Sequence, residues 1–325
     1  MEIDDINFKT IPSNCNKVIY NYIIYHKNCI DGFSGFYLFL KSSCWEKGCI
    51  VFPDVPSAKH IPPEIDGKNI IIIDVAYQLN ILKQIADRAN KVLFLDHHIT
   101  IADQMQNLKL GDPHEIVFDN TKSGVSLVWD YFFSKKIKKI PDFVKYIEDN
   151  DIGKWKYPNT MPFISAIEVN LSLDPTWSNL KKWDIMLNKK EVDNLIKKGK
   201  MYQEYKEYLL NNNSKKYSLL KFPGKKLYDD NKKFFESPGQ YTVASHNGSG
   251  CPTTSLLGKK LVDNIECDFA LIWTYQIEKR EVVVSMRSKK TDVGQIAKQL
   301  GGGGHTFAAA FSFNTSKYDI TDLFL

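Results

Sequence analysis

Lys91-Val92-Leu93-Phe94-Leu95-Asp96-His97-His98 is an apolar run that ends abruptly in one carboxylate and two imidazoles. The run reads as a buried strand. In an open α/β sheet, ligands bind beyond the carboxyl ends of the strands, so these polar groups stand where a site would be built. Two upstream runs end the same way: Ile19 to Tyr25 leads into His26 with Asp31 close behind, and Ile70-Ile71-Ile72-Ile73 leads into Asp74. Three strands delivering His and Asp to one edge form a metal-site pattern, far more specific than any of them alone.

Working outward, strands are expected over 17–26, 49–55, 69–76, 91–96 and 115–118. They alternate with helices over 32–40, 79–89, 100–108 and 123–133, and another helix starts at Pro141, a favoured first helical position. Such alternation implies a mostly parallel sheet covered on both faces. Residues 188–214 read as a connecting helix, with Val192, Leu195, Ile196, Tyr202 and Leu209 at helical spacing and a turn-rich stop at Asn211-Asn212-Asn213-Ser214. Beyond it, strands over 241–245, 269–276, 281–287 and 309–313 and helices over 253–262 and 293–300 make a smaller α+β domain. The expected fold class is therefore α/β: a mostly parallel N-terminal domain (1–187), a connecting helix (188–214) and a smaller α+β C-terminal domain (215–325).

A chain of 325 residues accommodates two domains, and 43% hydrophobic with 25% charged residues is ordinary for a globular protein. No stretch approaches the roughly 18 apolar residues of a membrane span. The acidic start Met1-Glu2-Ile3-Asp4-Asp5 lacks the pattern of a signal peptide. Six scattered cysteines with no CxxC pair argue for a reducing, cytoplasmic location and against a zinc ribbon. The net charge of +5 is mild, and the Lys pairs of the C-terminal half, such as Lys181-Lys182 and Lys225-Lys226, read first as a solvated surface.

His26, Asp31, Asp74, Asp96, His97 and His98 would converge at one sheet edge, with Asp149 and Asp151 added from Glu148-Asp149-Asn150-Asp151-Ile152-Gly153. Several carboxylates cannot share a small site uncompensated, because repulsion would force protonation. Divalent cations resolve this conflict. A mixed imidazole and carboxylate set suits Mn²⁺, and also admits Mg²⁺ or Co²⁺. The donors suffice for two ions, which together would activate water and clamp a phosphoryl group. In the C-terminal domain, Gly301-Gly302-Gly303-Gly304-His305 can form an anion-binding nest, and Arg287-Ser288 can supply a charged fork.

With these motifs the chain resembles the DHH phosphoesterase superfamily with its DHH-associated C-terminal domain. The name motif is intact as Asp96-His97-His98, the first motif is matched by His26 with Cys29-Ile30-Asp31-Gly32, and the second by Asp74. The fourth is matched by Asp149 or Asp151, with Asp151 favoured because Ile152-Gly153 follows it. The glycine-rich His motif is matched by Gly302-Gly303-Gly304-His305. The resemblance spans nearly the whole chain. It implies that His26 and Asp74 hold one ion, that Asp31, Asp74, His97 and the motif-four Asp hold a second, and that Asp74 bridges. Asp96 would ligate or orient, and His98 would contact the substrate phosphate. Arg287, Ser288 and Gly302–His305 would hold the far end of a substrate lying between the domains. Cys29 departs from the Asp that relatives commonly carry, and Ala310-Phe311 departs from a Gly after the alanine pair; Cys29 and Ser123 are left as undecided site residues. The implied activity is a metal-dependent phosphodiesterase on short oligonucleotides or small nucleotides, of oligoribonuclease type, with Trp273, Tyr275 and Phe307 as aromatics able to stack bases. The rivals are a pyrophosphate or polyphosphate hydrolase and a catalytically inactive nucleotide-binding protein. A homodimer is left open, and no stable protein partner is inferred.

Overall fold

The computed structural model describes residues 2–3, 10–14, 18–56, 58–105 and 108–325. The chain divides into two units, Met1–Gln203 and Glu204–Leu325. In the first, β1 (Glu2–Ile3), β2 (Tyr20–His26), β3 (Trp45–Asp54), β4 (Asn69–Ile73), β5 (Lys91–Asp96) and β6 (Glu115–Phe118) form one sheet in the order β1-β3-β2-β4-β5-β6. β2 to β6 are parallel, and β1 is antiparallel on the β3 edge.

The strand period of two sorts the apolar residues between two cores. Ile23, Tyr25, Ile71, Ile73, Leu93 and Leu95 face one core, with the helices Ile30–Leu40, Gly124–Phe132 and Asp142–Asp151. Tyr22, Ile24, Ile70, Ile72, Val92 and Phe94 face the other, against the helix Leu79–Arg88. The helix Ile30–Leu40 is buried from Asp31 to Leu40, as its almost uniformly apolar sequence requires. The helix Leu79–Arg88 buries only the stripe Ile81, Leu82, Ile85 and Ala86. Because β3 lies on one side of β2 and β4 on the other, chain direction reverses between β2 and β4, and the crevice at their carboxyl ends is a topological switch point.

The helix Lys189–Asn213 runs across the unit boundary. Within the first unit it packs tightly on the helix Thr160–Asn170: a Cβ at Gly199 would stand 1.7 Å from the Pro162 carbonyl oxygen. The second unit is built on β7 (Ser218–Phe222), β8 (Tyr241–Asn247), β9 (Phe269–Gln276), β10 (Glu281–Ser288), β11 (Gly303–His305) and β12 (Ala308–Asn314), in the order β11-β12-β10-β9-β8-β7. β8 and β9 pair in parallel and the other neighbours antiparallel. The helix Val293–Gln299 packs on one face of this sheet and Thr254–Asn264 on the other. The fold class is the expected α/β unit followed by a smaller α+β unit.

Several local expectations are corrected. β4 stops at Ile73 and does not reach residue 76, because Asp74 and Ala76 adopt φ of 65° and 53°, which ends the extended chain. Pro141 caps its helix, which starts at Asp142. The helix expected over 100–108 is a 3₁₀ turn, Ile99–Ile101, followed by Ala102–Met105, and residues 106–107 lie outside the described residues. The helices Thr160–Asn170, Trp177–Lys182 and Lys225–Asp230 and strand β7 were not expected from periodicity. Cys29, Cys49, Cys251 and Cys267 carry free thiols, and Cys44 is disulfide-bonded.

Candidate active site

The parallel register places the motif residues side by side. Tyr25 pairs with Ile73 and Ile73 with Leu95, so His26, Asp74 and Asp96 each stand one residue further along three adjacent strands. Asp74 is the centre. Its Oδ2 lies 3.2 Å from His26 Nδ1 and 3.7 Å from Cys29 Sγ. Its Oδ1 lies 2.9 Å from His97 Nε2 and 3.5 Å from His98 Nδ1. The two oxygens of one buried carboxylate thus face two separate groups of donors.

Asp31 is presented by the first turn of the helix Ile30–Leu40, next to the same cluster. Its carboxylate accepts from the backbone amides of Gly124 (2.5 Å) and Val125 (3.0 Å), at the start of another helix, where free amides and the helix dipole favour an anion. Asp151, the last residue of the helix Asp142–Asp151, completes the set, 3.3 Å from His97 Nε2. That nitrogen also lies 3.7 Å from Asp31 Oδ2. Two glycines make the assembly sterically feasible. A Cβ at Gly32 would sit 2.6 Å from His26 Cβ, and one at Gly124 would sit 2.8 Å from Asp74 Cβ and 2.9 Å from Asp31 Oδ2.

Three carboxylates around one imidazole nitrogen leave an excess of negative charge. Burial and the charges of Asp74 and Asp151 push the Asp31 carboxyl well above its ordinary range. Burial also raises Asp151, with Asp74 adding to it. Burial opposes ionisation of Asp74 too, but the His26 and His97 contacts hold it below its usual value. On His97, burial pulls downward and is overcome by Asp74, Asp31 and Asp151, which lift the imidazole to about 9. A site that depresses one carboxylate, raises two others and traps a proton on His97 is under-neutralised. Divalent cations are the counter-charge this donor set fits. Among the described residues, three groups have donor atoms mutually within 4.8 Å: His26, Cys29 and Asp74; Asp74, His97 and His98; and Asp31, His97 and Asp151.

Other expected site residues stand elsewhere. Asp96 is fully buried, and its oxygens accept from the backbone amides of Ala76 (2.6 Å), His97 (2.7 Å) and His98 (2.9 Å). It also lies 2.9 Å from His98 Nδ1, so Asp96 spends its oxygens on the loop that carries the two histidines and leaves His98 Nε2 outside that contact. Burial lowers the His98 pKa, but the contact with Asp96 and the charges of Asp96 and Asp74 raise it overall, which favours a cation there. Asp149 is not among the donors. It accepts from the amides of Lys156 (2.7 Å) and Tyr157 (3.1 Å) and from the Thr160 hydroxyl (2.5 Å), holding the turn beyond its helix. Ser123 is buried with no hydrogen-bond partner for its hydroxyl.

In the second unit the glycine run is not a free nest. Gly303–His305 is an edge strand paired with Ala308–Ala310, and the glycines permit close approach: a Cβ at Gly302 would stand 2.1 Å from the Ala310 carbonyl oxygen, and one at Gly304 2.5 Å from that of Ala308. His305 is exposed on this edge. The Ser288 hydroxyl donates to the Asp268 carbonyl (3.1 Å) and accepts from the amides of Lys290 and Thr291, which makes it a turn holder. Arg287 lines a groove of about 350 Å³ with Leu256, Lys259, Lys289 and Phe307.

Residue reading missed the Gly124 and Val125 amides that hold Asp31 and the Ala76 amide that holds Asp96. Ser123-Gly124 at a helix start was a signal for the first pair; the Ala76 contact had none.

Residues 258–323 match the DHHA1 domain. The chain is 27% identical to an uncharacterized protein of Acanthamoeba polyphaga mimivirus, over 96% of this chain and 72% of that one. In structure it is similar to a pGpG-specific phosphodiesterase, PggH of Vibrio cholerae, with 13% identity, 91% of this chain and 94% of that one covered, and a TM-score of 0.51. It is also similar to the exonuclease RecJ bound to manganese, with 12% identity, 93% and 89% covered, and a TM-score of 0.45. The DHHA1 match thus covers most of the C-terminal part of the second unit, and the fold of the chain is similar to that of the pGpG-specific phosphodiesterase.

Proposed function

We propose that this protein is a DHH-superfamily, two-metal phosphodiesterase acting on short oligonucleotides or small nucleotides, with Mn²⁺ as its usual ion and Mg²⁺ or Co²⁺ as substitutes. The observation that carries the reading is the split of Asp74, whose two oxygens face separate donor groups. A carboxylate so placed would be shared by two cations. His26 and Asp74 would hold one, and Asp31, Asp74, His97 and Asp151 the other. When bound, the ions supply a water nucleophile at neutral pH and stabilise charge on the phosphoryl oxygens.

The chain's own groups do the rest. Asp31 is anchored by two helix-start amides, and Asp96 locks the loop that carries both histidines. His98, oriented through Nδ1, presents Nε2 to a substrate phosphate. The Arg287 groove offers Lys259 for a phosphate and the half-exposed Phe307 ring for a base, while Lys289 there is paired with Asp263 at 2.8 Å.

The test is turnover with Mn²⁺ on a labelled RNA dinucleotide, a longer RNA, a cyclic dinucleotide and pyrophosphate. A linear dinucleotide is the first choice because the phosphodiesterase sharing this fold is specific for pGpG. Preferential dinucleotide cleavage supports the proposal. Faster pyrophosphate cleavage would move the protein to phosphoanhydrides, and no cleavage by folded, metal-loaded protein would favour a binding role.

A further inference from the structure

The two donor groups that Asp74 joins are chemically unlike. One offers His26 nitrogen, Cys29 sulfur and Asp74 Oδ2, with Sγ 3.7 Å and His26 Nδ1 3.2 Å from that oxygen. The other offers two carboxylates, Asp31 and Asp151, around His97 Nε2, at 3.7 and 3.3 Å. The first is a nitrogen–sulfur–oxygen set, and the second is dominated by hard oxygen.

Cys29 is built into its place by two independent features. It is the N-cap of the 11-residue helix Ile30–Leu40, so the helix start fixes where its sulfur stands; burial and the charges of Asp74 and Asp31 hold the proton on the free thiol, and a bound cation is what would displace it. The same helix sits hard against the end of β2 because Gly32 has no Cβ to strike His26, whose Cβ and carbonyl oxygen would lie at 2.6 and 2.8 Å. Sulfur and imidazole are therefore brought to one side of Asp74 by the backbone.

Thiolate donors select Zn²⁺ and similar ions, whereas carboxylate oxygens suit Mn²⁺ and Mg²⁺. We propose that the two ion positions are unequal: His26, Cys29 and Asp74 take a thiophilic ion such as Zn²⁺ or Co²⁺ with Cys29 as a thiolate ligand, and Asp31, His97 and Asp151 take a hard ion. On coordination the Cys29 proton passes to solvent, and no oxidation state changes. The inference rests on the two-metal reading above and names what that reading leaves open, the identity of the ion at each position.

The experiment is titration of chelator-treated protein with Co²⁺, followed by absorption, beside equilibrium dialysis to count bound ions and circular dichroism to check folding. Wild type should bind two ions and show a near-ultraviolet thiolate-to-cobalt charge-transfer band that saturates with one equivalent. Cys29→Ser should lose the band. Cys29→Asp should still bind two ions, without the band, and its preference for Zn²⁺ over Mn²⁺ in competition dialysis should fall at least about tenfold. Two bound ions with no band in wild type, or a band that survives in both variants, overturns the proposal while leaving the two-metal reading in place. Failure of folded wild type to bind any ion overturns both.

Discussion

Replacing Asp74 by Asn keeps shape and removes charge, so it isolates what the carboxylate does electrostatically. The two oxygens of Asp74 lie 2.9–3.7 Å from His97 Nε2, His98 Nδ1, His26 Nδ1 and Cys29 Sγ. An Asn at 74 offers one oxygen to one of these groups and turns an amide NH₂ toward the other. A pair of unit charges about 4 Å apart at an effective dielectric of about 20 is worth about 4 kcal/mol, and each 1.4 kcal/mol is tenfold in affinity, so losing the charge weakens an adjacent ion by close to a thousandfold. Asp74→Asn should therefore bind at most one Mn²⁺ at micromolar concentrations and lose at least about a thousandfold in turnover. Ion counting by dialysis and mass spectrometry, beside single-turnover assays, reads both quantities. Two tightly held ions and wild-type turnover in folded Asp74→Asn would refute the bridging role and, with it, the reasoning from the split carboxylate.

Gly124→Ala adds no chemistry, yet its methyl would sit 2.8 Å from Asp74 Cβ and 2.9 Å from Asp31 Oδ2, so metal titration should show at least about a tenfold loss of affinity, and unchanged affinity would show that these side chains yield easily. Asp149→Ala removes three hydrogen bonds to a carboxylate and should cost about 2–4 kcal/mol in denaturant unfolding, while the folded fraction still binds two ions; loss of an ion with stability intact would restore Asp149 as a ligand. In chelator-treated protein the His97 pKa is raised from its ordinary value to about 9, since Asp74, Asp31 and Asp151 outweigh burial. The stability it contributes is then full below the unfolded pKa of about 6.5 and lost as pH rises through about 9, and Mn²⁺ affinity should climb over the same window because the ion displaces that proton; affinity flat across the window would contradict this. Arg287→Ala should raise KM for a dinucleotide more than it lowers kcat in steady-state assays, and a pure kcat loss would remove the groove from substrate binding.

The parallel sheet and its ligand edge were legible because burial on both faces leaves uninterrupted runs such as Ile70–Ile73 and Val92–Leu95, and the first polar residue after each run marks the strand end. The choice between Asp149 and Asp151 was not legible from spacing alone. It depends on the amides of Lys156 and Tyr157 and on Thr160, in a turn and a helix that carry no clear apolar period. The glycine run misled for a related reason. Four glycines read equally as a nest that needs free amides or as strands in close approach, and only the pairing with Ala308–Ala310 decides. Asp96 illustrates the same limit: its position at a strand end was plain, but its commitment to three backbone amides depends on Ala76 and on a left-handed turn that sequence does not announce.

The central claim is that Asp74 bridges two ions at the end of β4. Anomalous diffraction from crystals soaked in Co²⁺, an ion that both positions should accept, tests it most directly. Two peaks about 3.5–4 Å apart, one on each oxygen of Asp74, are the predicted result. A single peak, or two peaks that do not share Asp74, would contradict the account.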